Sequence, residues 1–159
     1  MQEMVIYGVS FDMVGKQPIV LLKAVDTNKF LQIWIGHPEA AAILMKLQGA
    51  STPRPMTHDL LRNVIQDLKA TVEKVVVCHL QDGTFYALIY LRTHGEVVAI
   101  DSRPSDAIAL ALRTHAPIFV EETVIDSAKT VDVATDKSDA DRLQKYLESL
   151  DPDDLGYKM

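Results

Sequence analysis

The alternation of apolar and polar residues divides the first fifty residues into three strands and a helix. Apolar, β-branched runs between turn residues predict strands at residues 4–11, 18–22 and 30–35. A helix is predicted at residues 40–47, because Pro38 lies near its first turn and Gly49 follows its end. This part of the chain therefore predicts a small sheet covered by one helix.

The same order of elements returns after a loop with two prolines. Thr57 is the expected N-cap of a helix with Asp59 in its first turn. The apolar positions of this helix predict one buried stripe, formed by Leu60, Leu61, Val64, Ile65 and Leu68. Strands are predicted at residues 72–80, 84–91 and 96–100, with Asp82-Gly83 as a hairpin turn, then a buried helix at 104–114, a strand at 118–120 and a short helix at 121–128.

Three strands followed by a proline-led helix thus occur twice, from about residue 5 to 47 and from about 72 to 114. The expected fold is a compact α+β domain at residues 1–128, with a mixed or antiparallel sheet built from a duplicated three-strand-plus-helix unit and packed with helices. Residues 129–159 are expected to form an acidic C-terminal appendage. Its helix would begin near Ser138 and carry Leu143, Leu147 and Leu150.

Length and composition favour a single soluble domain. At 159 residues the chain buries a core without cross-links, and its one cysteine, Cys78, excludes an internal disulfide framework. It contains no signal-peptide pattern, and no apolar run approaches the roughly 20 residues that cross a bilayer. A cytoplasmic protein without membrane contact is expected.

The negative charge is concentrated at one end of the chain. Residues 1–120 contain 11 acidic and 11 basic residues, whereas residues 121–159 contain 11 acidic and 5 basic residues and so carry the whole net charge of −6. A neutral body is unlike proteins that coat nucleic acid by charge alone. It remains compatible with an enzyme that meets phosphates through a bound metal and a few arginines.

Two polar clusters stand between apolar segments. In residues 101–106, two aspartates, two serines and Arg103 separate a strand from a helix, and residues 54–59 hold Arg54, Thr57, His58 and Asp59 just before another helix. Polar groups at such strand-to-helix corners are mounted at the rim of the core, which is where binding and catalytic groups are often held.

Six segments, in order, resemble the bifunctional nuclease domain family. They are Pro18-Ile19-Val20-Leu21-Leu22, then Ile33-Trp34-Ile35-Gly36 with Glu39-Ala40, Arg54-Pro55-Met56-Thr57-His58-Asp59-Leu60-Leu61, Asp82-Gly83-Thr84-Phe85-Tyr86-Ala87, residues 101–110, and Ala116-Pro117-Ile118-Phe119-Val120. They cover about residues 4–128. The resemblance implies a compact α+β domain, a homo-oligomer, and hydrolysis of phosphodiester bonds in both DNA and RNA.

The chemistry of such a reaction directs attention to the two clusters. Asp101 and Asp106 are the leading candidates to hold Mg²⁺ or Mn²⁺, because carboxylate oxygens suit these ions. His58 is the expected general acid or base, since histidine exchanges protons near neutral pH. The remaining candidates are Asp59 and Glu39 as further carboxylates, Arg103 and Arg54 for the phosphate, and Thr57 and Ser105 to orient it.

Each candidate also has a structural interpretation. Asp59 and Asp106 suit the first turns of helices, Arg103 and Asp101 would form an ion pair, and His58 would only donate a hydrogen bond. The alternative to a nuclease is a non-catalytic module that binds an anion or a nucleotide. A third hypothesis is an assembly protein whose polar clusters lie in a subunit interface.

Overall fold

The computed structural model describes residues 1–11 and 16–128 in full and the backbone of residues 130–132. Up to residue 128 the elements follow the order that the sequence predicts, whereas the last strand, at residues 130–132, is not predicted. They are β1 (Gln2–Phe11), β2 (Pro18–Ala24), β3 (Lys29–Trp34), α1 (His37–Leu47), α2 (Thr57–Asp67), β4 (Thr71–Gln81), β5 (Thr84–Thr93), β6 (Glu96–Ser102), α3 (Pro104–Thr114), β7 (Ile118–Val120), α4 (Glu122–Ser127) and β8 (Thr130–Asp132).

All described strands form one mixed sheet in the order β6-β5-β4-β7-β1-β2-β3-β8. Each group of three consecutive strands is an antiparallel meander followed, directly or after a turn, by a helix. The short strand β7 joins the two meanders, because Ile118 pairs with Met4 of β1 in antiparallel and with Val75 of β4 in parallel. The predicted α+β class is therefore confirmed.

Two tight turns fix the register of the second meander. Asp82 and Gly83 have φ angles of 53° and 75°, and His94 and Gly95 have φ angles of 50° and 78°. Positive φ at both central residues is the requirement of the type I′ turn, whose twist matches that of the flanking strands. The hairpin predicted at Asp82-Gly83 is confirmed.

The core lies on one face of the sheet, which we call the inner face. Residues such as Leu22, Val75 and Ile89 point from this face towards α1 and α3. The helix α3 is buried through nearly its whole length, as its apolar sequence predicts. The opposite, outer face carries the alternate residues of each strand.

The helix α2 differs from its prediction in two ways. It begins at Thr57, with Met56 at the N-cap position, so Thr57 is not the cap. Of the five residues predicted as a buried stripe, only Ile65 is buried, whereas Leu60, Leu61, Val64 and Leu68 are exposed. The helix forms and carries the apolar stripe, but most of the stripe is not covered by other described residues.

Strand β8 extends the sheet four residues beyond the predicted domain boundary at residue 128. The predicted C-terminal helix, with Leu143, Leu147 and Leu150, lies outside the described residues. None of the helices in the described part of the chain has the length and apolar content needed to cross a membrane.

Candidate functional site

Six ionisable side chains meet where α1, α2 and α3 converge. Glu39 comes from the first turn of α1, His58 and Asp59 from the start of α2, Arg103 from the N-cap of α3, and Asp106 and Arg113 from its first and last turns. We call this group the helix-junction cluster. The two polar segments that the sequence singles out therefore do come together, although 48 positions separate His58 from Asp106.

Asp106 is the centre of the cluster. One carboxylate oxygen, Oδ1, lies 2.9 Å from His58 Nε2, and the other, Oδ2, accepts a hydrogen bond from Arg103 Nε at 3.0 Å. Arg103 Nη2 also donates to Oδ1, and its Nη1 donates to Glu39 at 3.0 Å. Arg103 therefore links α1 to α3 through two carboxylates, and does not form the ion pair with Asp101 that the sequence leaves open.

These contacts hold Asp106 in its charged form. Burial by itself would raise the pKa of this carboxyl, but the hydrogen bonds from Arg103 and His58 outweigh it and keep the pKa below the ordinary value. The hydrogen bond to Asp106 likewise raises the pKa of Arg103. The result is a carboxylate that stays ionised beside a histidine ring.

Behind this group lies Arg113, which sequence reasoning does not select. Its side chain is 3% exposed and donates to Asp59 Oδ1 at 2.7 Å, to the carbonyl of Ala109 at 2.8 Å and to that of Ala42 at 3.0 Å. Asp59 also accepts from the Met56 backbone at 3.1 Å. Burial opposes ionisation of Asp59, but these hydrogen bonds hold its pKa below the ordinary range.

Two cavities open on either side of the cluster. The larger, about 690 Å³, is a groove between α2 and the strands β5 and β6, with mostly aliphatic walls that include Leu61, Val64 and Ile100. The smaller, about 390 Å³, lies between α1 and α2. Thr57, His58, Arg103 and Asp106 line both, so a molecule in either cavity would contact the same four residues.

The structure does not bring Asp101 to Asp106. Asp101 pairs with Leu88 of β5, and both point to the outer face, whereas the cluster lies on the inner side. Burial raises the pKa of the Cys78 thiol of β4, and the negative charges of Asp101 and Glu121 raise it further. Asp101 borders the groove, but its carboxylate faces away from His58.

Three other predicted residues have separate positions. Thr57 is exposed at the rim of the cavities, Ser105 is buried in the first turn of α3, and Arg54 is exposed in the loop before α2. Within the described residues, no group of three or more His, Cys, Asp or Glu side chains is arranged to hold a metal ion. Arg103 bridges the carboxylates of Glu39 and Asp106.

Comparison of the sequence with known proteins places this chain in a family. The chain is 37% identical over 165 residues to an uncharacterized protein of Mycobacterium tuberculosis, with 98% of each chain covered. It is 26% identical over 109 residues to "Bifunctional nuclease 1" of Oryza sativa subsp. japonica, and 27% identical over 122 residues to "Bifunctional nuclease 2" of Arabidopsis thaliana. The first match covers 66% of this chain and 33% of the rice protein, and the second covers 69% and 37%.

The family profile described as "Bifunctional nuclease domain" matches residues 20–132. This range runs from β2 to the end of β8 and contains every residue of the helix-junction cluster. Since it spans more than half of the sequence, the chain belongs to the bifunctional nuclease domain family.

Proposed function

We propose that the protein is a nuclease that hydrolyses phosphodiester bonds in DNA and RNA with little sequence preference, and that the helix-junction cluster is its active site. Family membership supports the reaction class. The observation that carries the assignment of the site is the 2.9 Å contact between His58 Nε2 and Asp106 at the meeting point of two open cavities.

In this proposal His58 is the general base and Asp106 orients it. When Nε2–H donates to the ionised carboxylate, the other ring nitrogen, Nδ1, is the one that accepts a proton from an attacking water. Asp106 also stabilises the ring once it is charged, as the carboxylate does in other histidine–carboxylate pairs.

Arg103 is the proposed phosphate contact. Its side chain is 53% exposed, and three of the five N–H groups of a guanidinium are engaged by Asp106 and Glu39. Because Arg103 lines both cavities, the remaining donors would be available to a phosphoryl oxygen there. Thr57 at the rim is the proposed hydroxyl contact.

The net negative charge of the helix-junction cluster supports a requirement for Mg²⁺ or Mn²⁺. Three carboxylates (Glu39, Asp59, Asp106) face two guanidinium groups (Arg103, Arg113), so the cluster is net negative when His58 is neutral. A phosphodiester adds a further negative charge. Mg²⁺ is commonly held by one or two carboxylates together with waters and substrate phosphates, and Asp106 and Glu39 are the side chains that fit this pattern. When bound, the ion would neutralise charge on the phosphoryl group.

The test is cleavage of single- and double-stranded DNA and RNA by rigorously purified protein with Mg²⁺, Mn²⁺ or EDTA. We expect metal-dependent cleavage that falls about 100-fold or more in His58→Ala and Asp106→Asn. The matched control is Glu73→Gln, which removes a carboxylate from a surface ion pair with Arg92 outside the cluster.

The same assay decides the role of Asp101. Loss of activity in Asp101→Asn would add this carboxylate to the catalytic set, as the sequence predicts, and retained activity would confine the site to the inner side. If every variant cuts equally, a contaminant explains the cleavage, and if no nucleic acid is cut, the protein lacks the proposed activity. The alternative, an anion- or nucleotide-binding module, would then be favoured.

We further propose that the protein is a homo-oligomer that associates through β6. Every residue of β6 from Glu96 to Asp101 is exposed, and its outer edge has no described partner strand. Val97 and Val98 are exposed apolar side chains of this strand that do not line the groove, and a second copy would remove them from water.

Light scattering tests this association. Val98→Lys places a charge on the β6 edge and is expected to yield monomers. Val5→Lys is the matched control, because Val5 is similarly exposed but lies on β1. A wild-type protein that is monomeric throughout would contradict the proposal.

The proposed location is the cytoplasm, which cell fractionation with an antibody to the protein tests directly.

A further inference from the structure

The outer face of β2 and β3 is buried, although the helices of the core lie on the other side. Five residues alternate with the core residues of these strands and are at most 4% exposed: Ile19, Leu21, Phe30, Gln32 and Trp34. Their registers agree, since Ile19 is opposite Trp34 and Leu21 is opposite Gln32. We call this group the β2–β3 patch.

No described helix accounts for its burial. The principal contacts of β3 with other described elements are those with its neighbours β2 and β8. On the adjacent strand β1 the outer face is open, since Val5 and Tyr7 are about half exposed. Tyr7 touches the edge of the Phe30 ring, with ring centroids 4.9 Å apart, but reaches only one end of the patch. The cover over β2 and β3 therefore does not extend across β1.

The patch also contains unpaired polar atoms. Trp34 Nε1 and both amide atoms of Gln32 are buried and have no hydrogen-bond partner among the described residues. Buried polar groups that lack a partner are costly and rare in native proteins. The segment that covers the patch is therefore expected to bring polar groups as well as apolar ones.

The course of the chain identifies that segment. Strand β8 pairs with β3, with Phe30 opposite Val131, and 27 residues follow Asp132. Leu143, Tyr146, Leu147 and Leu150 occur at helical spacing in this segment, among charged and polar residues. The similarity to the mycobacterial protein covers 98% of this chain and so runs into this segment, whereas the family match ends at residue 132.

The short distance from β8 to the β2–β3 patch also favours the segment after Asp132 as its cover. Neighbouring strands lie about 4.8 Å apart, so a chain that leaves β8 needs to cross only about 10 Å to lie over β3 and β2. The ten residues 133–142 are long enough for this, at up to about 3.3 Å each. Residues 12–15, which are part of the connection between β1 and β2, are too few to cover five side chains.

We propose that residues 133–159 dock on the β2–β3 patch, with Leu143, Tyr146, Leu147 and Leu150 against it. The acidic segment then belongs to the folded domain and closes the second side of the first meander. This inference does not depend on nuclease activity.

Trp34 is the only tryptophan in the chain and therefore reports on the patch directly. We expect blue-shifted fluorescence and weak quenching by acrylamide in the full-length wild type. Leu147→Asp should shift the emission to the red and increase quenching. Leu155→Asp should leave both unchanged, because Leu155 lies outside the stripe. Exposed tryptophan in the wild type, or protected tryptophan in both variants, would overturn the proposal.

A second measurement avoids variants that disturb packing. A nitroxide on Ser149→Cys, in a Cys78→Ser background, should broaden the Trp34 indole N–H signal. The same label on Glu96→Cys, at the opposite edge of the sheet, should not. Equal signals in both samples would contradict docking. Broadening seen only when labelled and isotopically enriched chains are mixed would assign the cover to a second copy and also reject the proposal.

Discussion

At the scale of single residues, Arg113 determines how the three helices meet. It binds Asp59 of α2 and the carbonyl of Ala42 of α1 from the last turn of α3. Because Asp59 is next to His58, this contact also holds the part of the α2 backbone that carries the histidine. Arg113 is thus a structural support for the pair that the proposed mechanism uses.

Replacement of this arginine should be costly. Arg113→Met leaves Asp59 and two backbone carbonyls without their donor, and we expect the free energy of unfolding to fall by about 3 kcal/mol. Arg92→Met removes a surface ion pair with Glu73 and should cost less than about 1 kcal/mol. Urea denaturation measures both. Equal costs would show that the Arg113 network does not stabilise the fold.

The lowered pKa values of Asp59 and Asp106 predict a loss of stability in acid. A group whose pKa is lower in the folded state binds more protons when unfolded, so its contribution is present above the ordinary aspartate value of 3.8 and is lost as pH falls through the folded value. We expect the urea midpoint to drop between pH 5 and about pH 2, and to drop less in Asp106→Asn. An identical pH dependence in the variant would contradict this assignment.

The sequence predicts some of these residues and not others, for physical reasons. His58 and Asp106 stand out because each begins a helix with polar neighbours. Arg113 does not, because a cation in the last turn of a helix is already explained by the helix dipole. The sequence does not predict that Asp101 and Asp106 lie apart, because the pairing register decides which face a strand residue occupies. A shift of one residue in that register moves the side chain to the opposite face.

At the scale of elements, α2 shows that an apolar stripe on a helix does not ensure that the stripe is buried. Its apolar stripe is correctly predicted from periodicity, yet only Ile65 packs into the core. Periodicity identifies an amphipathic helix but carries no information about what covers it. The strands and α3 are predicted well because turn residues and continuous apolar runs are local signals.

Two substitutions on α2 should therefore differ sharply in how much they lower the free energy of unfolding. Ile65→Ala creates a cavity beside the core and is expected to cost about 2–4 kcal/mol of stability. Leu68→Ala changes a side chain that is 68% exposed and does not line the groove, so its effect should stay within about 0.5 kcal/mol. Thermal or urea unfolding gives both values. Similar costs would mean that Leu68 is covered in solution.

At the scale of the whole molecule, the two meanders form one unit. They share a continuous sheet through β7, and residues of both belong to a single apolar core around α3. Their repeated order is visible in the sequence, but their arrangement on either side of β7 is not, because a three-residue strand leaves little pattern to read.

This continuity predicts a single unfolding transition. Trp34 reports on the first meander only, whereas far-ultraviolet circular dichroism reports on all elements. We expect the two probes to give the same urea midpoint, as for other two-state domains of this size. Separate midpoints would show that the meanders unfold independently.

The central position of β7 has a consequence for synthesis on the ribosome. Residues 118–120 are translated after both meanders, yet they occupy the middle of the sheet. Until they emerge, the edges of β1 and β4 that will receive them stay unpaired, and two half-sheets exist side by side on the nascent chain. The nascent chain is therefore most prone to incorrect strand pairing just before the short central strand β7 emerges from the ribosome.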